Sequence, residues 1–332
     1  MRARRLVVRE LLLREGAAVI GMVETKIADL SPAMTRELMP AMFDYVLLPS
    51  AGASGGILVA WDTGAWSSAN QSTGQFSASV RLEPVDTALV PWSLTVVYGP
   101  VHDSLRTVRD AALEPLLICG DFNMIYQARD KSNNRLNLRA MRDFRRALDA
   151  MQVDELVLHS RLYTWSNERR QPTLERIDRA FAMTSWLEAF PCHHLRSLSS
   201  QCSDHAPLLL NLHHNSWAKP RFRFEGFWAR LPGFQEIVAQ AWAMPVGGVD
   251  ACRALDIKFR LTAKALKNWS REHVGSVRQQ LFMAKELIAQ LDIAQERRLL
   301  SDEECSMRRD LKRRCLGLAS MARTIARHRS RI

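Results

Sequence analysis

Short apolar runs separated by turn residues dominate the first two thirds of the chain, and this pattern predicts β-strands. Helical periodicity predicts a helix at 4–15 and a basic amphipathic helix at 138–151. Several strands carry apolar residues on both faces, which indicates sheets covered by helices, and we therefore predict an α/β sandwich. The predicted strands are 19–25, 55–61, 76–82, 93–99, 115–123, 176–182 and 207–213.

The periodicity changes after Pro220. A stretch rich in Trp and Phe, RFRFEGFWARLPGF, is followed by helical spacing with an expected break near Gly275. A second helix is predicted over 302–327, because Ser301 stands three residues before Glu304 in a capping-box pattern. The end of the chain is therefore predicted to be helical.

These changes divide the chain into three parts. We predict a main domain at 1–215, a Trp/Phe-rich connector at 216–250 and a basic helical linker region at 251–332. The net charge is +11, and the last part holds 19 Lys/Arg against 9 Asp/Glu. Such a basic segment indicates a polyanion or an acidic protein as partner, although a solvated helix surface explains the charge equally well.

Several classes of protein do not fit this sequence. No apolar run approaches the roughly 20 residues that span a bilayer, so no membrane partner is expected. The N-terminal MRARRLVVRELLLREG is interrupted by charges at helical spacing and is interpreted as a helix rather than a signal peptide. The six cysteines form no CxxC or Cys/His cluster, so neither a zinc site nor a disulfide framework is indicated. We expect a nuclear or cytoplasmic protein that is not secreted.

Acidic and amide side chains stand at the ends of the predicted strands, where they can converge in space. A carboxylate pair such as Glu24 and Asp204 suits a hard divalent cation, Mg²⁺ with Mn²⁺ as an alternative. The Asp121 and Asn123 pair suits the orientation of water and the binding of a phosphate oxygen. His205 beside an acid suits charge stabilisation or proton transfer. Together these residues indicate phosphodiester hydrolysis.

Each of these residues also has a purely structural explanation. A Glu at a strand end is commonly a solvated surface residue, and Asp-x-Asn after Gly is commonly a turn. Residues 203–205 could cap a helix or strand, Tyr98 could pack on the core beside a turn, and Asp178 could form a structural ion pair. The joint order and spacing of the residues argue against these separate explanations.

The order of the motifs resembles that of the endonuclease/exonuclease/phosphatase superfamily over residues 4–213. The IDR and TWSN motifs are similar to those of the endonuclease domain of plant non-LTR (LINE-type) retrotransposon polyproteins. FEGFWARLPGF, LKNWSREHVGSV and LSDEE resemble the linker that precedes reverse transcriptase there. The resemblance implies a four-layer α/β sandwich, DNase I-like, followed by an α-helical basic tail. The motifs are VETK (23–26), VYGP (97–100), GDFN (120–123), YTWSN (163–167), RIDRAF (176–181) and SDHAPLLL (203–210).

The resemblance also implies a metal-dependent activity. It makes Glu24 a metal ligand, with Asp204 supporting the metal site, and it makes Asp121 the residue that orients or deprotonates the attacking water. The implied reaction is Mg²⁺-dependent nicking of one strand of target DNA. In the family, the exposed 3′-hydroxyl primes reverse transcription by a polymerase portion that is not among these residues.

The remaining implied roles concern the phosphate. Asn123 and Tyr98 hold the scissile group, and His205, polarised by Asp178, stabilises its developing negative charge. Trp165 packs near the surface that faces the substrate.

Two features depart from the family pattern. An Asn-bearing WNVRG-like strand usually precedes the helix that here starts near Arg4, and the stretch 99–114 is shorter than usual. Absence of that strand removes a metal-site amide and leaves backbone groups of a sheet unpaired. We hypothesise a truncated or decaying element that keeps the fold but has weak or no nuclease activity. A stand-alone phosphoesterase acting on a small molecule or lipid, and a non-catalytic nucleic-acid-binding remnant, are the alternatives.

Overall fold

The computed structural model describes residues 2–40, 42–52, 55–87, 89–99, 108, 114–212, 233–247, 250–269 and 277–329. The helices are α1 (Arg2–Glu15), α2 (Pro32–Leu38), α3 (Leu138–Met151), α4 (Thr184–Ala189), α5 (Phe234–Ala243), α6 (Ala251–Trp269), α7 (Val277–Arg297) and α8 (Asp302–Arg329). None of the helices in these ranges is long and apolar enough to cross a membrane.

The strands are short and lie mostly before residue 212. They are β1 (Val19–Val23), β2 (Phe43–Leu48), β3 (Ile57–Asp62), β4 (Trp66–Thr73), β5 (Ser77–Pro84), β6 (Trp92–Tyr98), β7 (Leu116–Asp121), β8 (Val153–Glu155), β9 (Leu158–His159), β10 (Trp165–Ser166), β11 (Leu174–Glu175), β12 (Asp178–Met183), β13 (His194–Ser197) and β14 (Leu208–Asn211).

The larger sheet has six strands in the order β4-β5-β6-β7-β12-β8. Its neighbouring strands are antiparallel, except that β6 and β7 run parallel. Strand β6 is buried from Trp92 to Val97, including the polar Ser93 and Thr95, as expected for a central strand covered on both faces. Because β6 and β7 are parallel, their carboxyl ends meet at one edge of the sheet, which is where the predicted site residues lie.

A second layer of strands packs on one face of the six-stranded sheet. It consists of two three-stranded sheets, β1-β3-β2 and β14-β13-β9. Trp61 from β3 and Leu195 from β13 share one core cluster with Val80, Leu94 and Val96 of the larger sheet. In the part of the chain described, β1 pairs only with β3 and β14 only with β13, so each leaves one edge open.

Helices cover the two outer faces. On the far side of the six-stranded sheet, Phe144 and Leu148 of α3 pack against Phe122 and Phe181. On the far side of the β1-β3-β2 sheet, α1 and α2 pack over Ile20, Leu58 and Ala60. The order helix, sheet, sheet, helix confirms the predicted four-layer α/β sandwich of DNase I type, and helices follow it toward the end of the chain.

The helical tail forms two hairpins in its described part. Helices α5 and α6 pack around Phe234, Leu266 and Trp269, and α7 packs on α8 through a separate cluster that includes Ile288 and Cys315. The predicted capping box is confirmed, because Ser301 Oγ accepts from the Glu304 amide at 3.2 Å and Glu304 accepts from the Ser301 amide at 2.9 Å. Most of the predicted connector, and the predicted break near Gly275, lie outside the described residues.

Candidate active site

The parallel pair β6 and β7 sets Tyr98 directly beside Asp121. Gly120 precedes Asp121 with φ +142°, and a Cβ there would lie 2.0 Å from the Val97 carbonyl oxygen. Only glycine permits this close approach of the two strands. The glycine of the GDFN motif therefore has a backbone reason, and the aspartate that follows it is placed at the sheet edge.

Glu24 follows strand β1 in a left-handed backbone conformation with φ +49°. The Tyr98 hydroxyl donates a short hydrogen bond to Glu24 Oε1. Burial raises the pKa of Tyr98, and the hydrogen bond and charge of Glu24, with a smaller contribution from Asp121, raise it further. Tyr98 therefore remains a hydrogen-bond donor at neutral pH, beside a carboxylate that faces solvent.

Asp121, Asp178 and His205 converge from three separate segments. Asp178 opens strand β12 and lies opposite Asp121 in the antiparallel register. His205 Nδ1 lies 3.1 and 3.0 Å from the two carboxylate oxygens of Asp178. The polar atoms of Asp121, Asp178 and His205 all lie within 4.8 Å of one another. A buried acid, a second acid and a histidine therefore form one contiguous group.

The pKa values of Asp121 and His205 are both raised. The shift favours the neutral form of the aspartate and the charged form of the histidine. Asp121 is 3% exposed, and its burial, with the Asp178 charge, raises its pKa to about 6 despite the opposing effect of His205. Burial acts to lower the pKa of His205, but the hydrogen bond and charge of Asp178, helped by Asp121 and Asp204, raise it to about 9. At pH 7 to 8 the site thus pairs an ionised Asp121 with a protonated His205.

Asp204 lies on the exposed side of this group. Its carboxylate accepts from the Trp165 indole nitrogen at 2.9 Å, and the Trp165 ring centre lies 6.5 Å from that of His205. Trp165 and His205 are also paired across a backbone bridge. The TWSN and SDHAP motifs are therefore in direct contact, although 39 positions separate Trp165 from Asp204.

Asn123 is placed differently from the other predicted residues. Its backbone has φ +52° and its amide donates to Asp121 Oδ1 at 2.8 Å, while its side chain is exposed. This turn fixes the Asp121 carboxylate and leaves the Asn123 amide group at the surface of the site.

Sequence reasoning missed a buried ion cluster beneath the site. Arg179, next to Asp178, is 1% exposed and forms ion pairs with Asp130 and Glu155. Asp130 also accepts from the amides of Tyr126 and Gln127 at 3.0 and 2.7 Å. The RIDR motif could have predicted this cluster, because successive residues of a strand point to opposite faces and Arg179 must therefore face away from Asp178. The structural ion pair considered for Asp178 belongs to Arg179 instead.

The sequence profile of the Endonuclease/Exonuclease/phosphatase family matches residues 1–205. The chain belongs to this family. The matched region contains every residue of the site described above, from Glu24 to His205. A comparison with curated proteins gave no match.

Three solved structures are similar to part of this chain. The endonuclease domain of TRAS1, a telomere-specific non-LTR retrotransposon, is 14% identical and covers 64% of this chain and 94% of its own, with a TM-score of 0.49. The Xenopus laevis APE2 catalytic domain is 14% identical over 63% of this chain and 87% of its own, at 0.45. D. rerio TDP2 complexed with single-strand DNA product is 15% identical over 62% and 89%, at 0.41.

Members of the endonuclease/exonuclease/phosphatase family are typically dependent on a divalent metal, and the donor set of this chain fits one. Asp121 and Asp178 offer carboxylate oxygens, the ligands that hard divalent cations prefer. His205 is a poorer ligand here, because its Nδ1 is engaged by Asp178 and its pKa of about 9 keeps the ring protonated. A cation near Asp121 would also relieve the burial of its negative charge.

Proposed function

We propose that this chain is a metal-dependent phosphodiesterase that nicks DNA. One observation carries the proposal: Asp121, Asp178 and His205 come together from three segments, with pKa values of Asp121 and His205 matched to opposite roles. A carboxylate that can accept a proton and an imidazolium that stabilises negative charge are the groups that hydrolysis of a phosphodiester needs. Isolated structural residues would not be expected to converge in this way.

The residues act in complementary ways in the proposed reaction. Asp121, with a pKa of about 6, orients the attacking water and accepts its proton at neutral pH. His205 is held by Asp178 and stabilises the charge that develops on the phosphate. The exposed amide of Asn123 donates to a phosphate oxygen. The Tyr98 hydroxyl, which stays protonated and donates to Glu24 in this structure, turns to a phosphate oxygen when substrate binds.

From the family resemblance, Glu24 and Asp204 are proposed as the residues that hold the metal, Mg²⁺ with Mn²⁺ as an alternative, with Asp121 near the cation rather than one of its main ligands. When bound, the cation supplies Lewis-acid activation and stabilises the leaving oxygen. Tyr98 orients the Glu24 carboxylate, and the Trp165 indole orients that of Asp204. Trp165 also presents its half-buried ring beside His205, where it can pack against substrate.

The proposed substrate is the target DNA of a plant-type non-LTR retrotransposon. This finer assignment rests on the TWSN and IDR wording and on the linker-like tail, in which 251–332 is strongly basic. We propose the division into 1–215, 216–250 and 251–332 on the same grounds, and a nuclear or cytoplasmic location.

A supercoiled-plasmid nicking assay in Mg²⁺ tests this function. We expect metal-dependent conversion to the open-circular form by the chain as given, abolished by Asp121→Ala and by Glu24→Ala. Asp44→Ala is the matched control, because Asp44 is an exposed carboxylate on the outer strand β2 and its loss should leave the rate unchanged.

The same proteins separate the alternatives. A stand-alone phosphoesterase would hydrolyse soluble phosphate esters or lipid phosphates and would tolerate deletion of 216–332. A non-catalytic remnant would bind DNA in a salt-sensitive way that survives Asp121→Ala, with no nicking under any condition. Either result would contradict the proposed endonuclease.

A further inference from the structure

The α7–α8 hairpin docks on the segments that carry Trp165, Asp204 and His205. Helix α8 also packs along α1, so the hairpin lies against the sandwich rather than apart from it. The contacts with the site-bearing segments are made by charged side chains from both helices. They were not foreseen from the sequence, where these helices were predicted only as a basic linker.

Helix α7 forms ion pairs and hydrogen bonds with the chain just before β10. Asp292 and Glu296 accept from Arg161 at 3.2 and 3.4 Å. Glu296 also accepts from the backbone amides of Leu162 and Tyr163, at 3.1 and 3.2 Å. One carboxylate therefore fixes both the side chain and the backbone of the segment that leads into Trp165.

Helix α8 grips the chain just after β10. Arg308 donates to Asp292 at 2.7 Å and to Glu168 at 3.3 Å, so it links the two helices to the β10–β11 turn. Lys312 forms a short ion pair with Glu168 and also donates to the Ser203 carbonyl oxygen at 3.4 Å. Ser203 immediately precedes Asp204.

The segments that the hairpin contacts are hydrogen-bonded to the backbone on either side of His205. The Ser166 amide donates to the Asp204 carbonyl oxygen at 3.2 Å, and the Ala206 amide donates to the Thr164 carbonyl oxygen at 2.7 Å. The backbone of 204–206 is thus paired with 164–166, and 164–166 is held at both ends by the hairpin. A shift of the hairpin would be transmitted to His205 through two hydrogen bonds.

Most of the network is buried, which distinguishes it from a chance surface pairing. Asp292 is 2% exposed, and the side chains of Arg161, Arg308 and Lys312 are 12%, 13% and 14% exposed, whereas the shared acceptor Glu168 is 42% exposed. Ions this buried need well-placed partners, and each of these has one or more. An exposed ion pair would hold its segments only weakly.

We propose that the α7–α8 hairpin is a positioning element of the active site, acting through Lys312 and Glu168 on the segment that carries Asp204 and His205. The expected effect on kcat rests on the proposed function, whereas the expected effect on hydrogen exchange does not. Lys312 and Glu168 are positioning residues, because they reach the reacting groups only through Ser203 and β10. The helical tail is then a working part of the catalytic unit and not only a tether.

The test compares three variants of the full chain with the parent. Lys312→Glu breaks the contact with Glu168. Lys312→Glu with Glu168→Lys restores an ion pair of reversed polarity, and its recovery is expected to be partial because Glu168→Lys also removes the acceptor of Arg308. Arg313→Glu is the matched control, since it makes the same charge change one residue away on a side chain that is 78% exposed and paired only within its own helix. Amide hydrogen exchange is measured first, because it needs no activity.

We expect exchange at Ser166 and Ala206 to speed up about tenfold in Lys312→Glu, to recover in part in the double variant and to be unchanged in Arg313→Glu. In the nicking assay, kcat should fall about tenfold in Lys312→Glu with KM within about twofold, and the double variant should recover in part. Unchanged exchange in Lys312→Glu would overturn the proposal whether or not the parent nicks DNA.

A second outcome would also overturn it. If Lys312→Glu and Arg313→Glu both raise KM and the double variant does not recover, the helix contributes charge to DNA binding rather than position to the site. A parent chain that does not nick, but whose exchange shows the expected pattern, would refute the endonuclease function and leave the positioning role of the hairpin established.

Discussion

Replacing Asp121 by Asn is expected to stabilise the metal-free protein at pH 8 while abolishing its activity. Asp121 is almost fully buried, and burial together with the Asp178 charge raises its pKa to about 6 from the ordinary value of 3.8. An acid whose pKa is raised on folding binds its proton more tightly in the folded state. Its contribution to stability is therefore lost as the pH rises from about 4 through about 6.

The free-energy cost of ionising Asp121 in the folded state follows from this pKa shift. Each pKa unit corresponds to about 1.4 kcal/mol, so ionisation of Asp121 costs the folded state about 3 kcal/mol above pH 7. Asn has nearly the same shape, stays neutral and keeps an oxygen that can accept from the Asn123 amide. The variant should avoid most of the cost, about 2 kcal/mol, at pH 8 and none of it at pH 4.

Urea unfolding at pH 4, 6 and 8 in EDTA measures this difference. Asp154→Asn, on the exposed face of the edge strand β8, is the control and should show no pH-dependent gain. Addition of Mg²⁺ should narrow the gap at pH 8, because only the ionised carboxylate gains from a nearby cation. If the variant is less stable than the parent at pH 8 without metal, the ionised Asp121 carboxylate does not destabilise the folded protein and the reasoning is wrong.

Three further substitutions have distinct expected results. Gly120→Ala should disrupt the pairing of β6 with β7 and lower the unfolding midpoint in urea, because the new Cβ would collide with a backbone oxygen at 2.0 Å; an unchanged midpoint would contradict this. Arg179→Met should cost about 3 kcal/mol in urea unfolding, since it leaves the buried Asp130 without its ion-pair partner and Glu155 with Arg176 alone; a loss below about 1 kcal/mol would argue that the cluster is well hydrated. Asp178→Asn should lower the alkaline limit of nicking from about pH 9 toward the ordinary histidine range, because it removes the negative charge that raises the pKa of His205 and leaves only a neutral hydrogen-bond acceptor; an unmoved pH profile would exclude a protonated His205 from the rate.

The pattern of apolar residues predicted half of the strands. Strands β1, β3, β5, β6, β7, β12 and β14 were recognised because their apolar residues run together or alternate in the sequence. Strand β4, WSSANQST, was missed because it is polar and largely exposed, and pairing with β5 rather than composition holds it in the sheet.

The site was predictable in its members but not in its connections. The motifs pointed to Asp121, Asp178 and His205, since strand ends converge at a sheet edge. That Asp178 faces His205 while Arg179 faces a buried acid depends on register, which one shifted residue would reverse. The clamp between Lys312 and Glu168 joins positions 144 apart, and no local pattern encodes such a contact.

The decisive measurement is the rate of plasmid nicking in Mg²⁺ by the full chain, compared with its Asp121→Asn variant and with the same protein in EDTA. We expect metal-dependent nicks that leave a 3′-hydroxyl that a polymerase can extend, and a loss of at least about a hundredfold in the variant, although the variant is the more stable protein. Nicking at an equal rate by Asp121→Asn, or in EDTA, would show that neither Asp121 nor a metal takes part in the reaction.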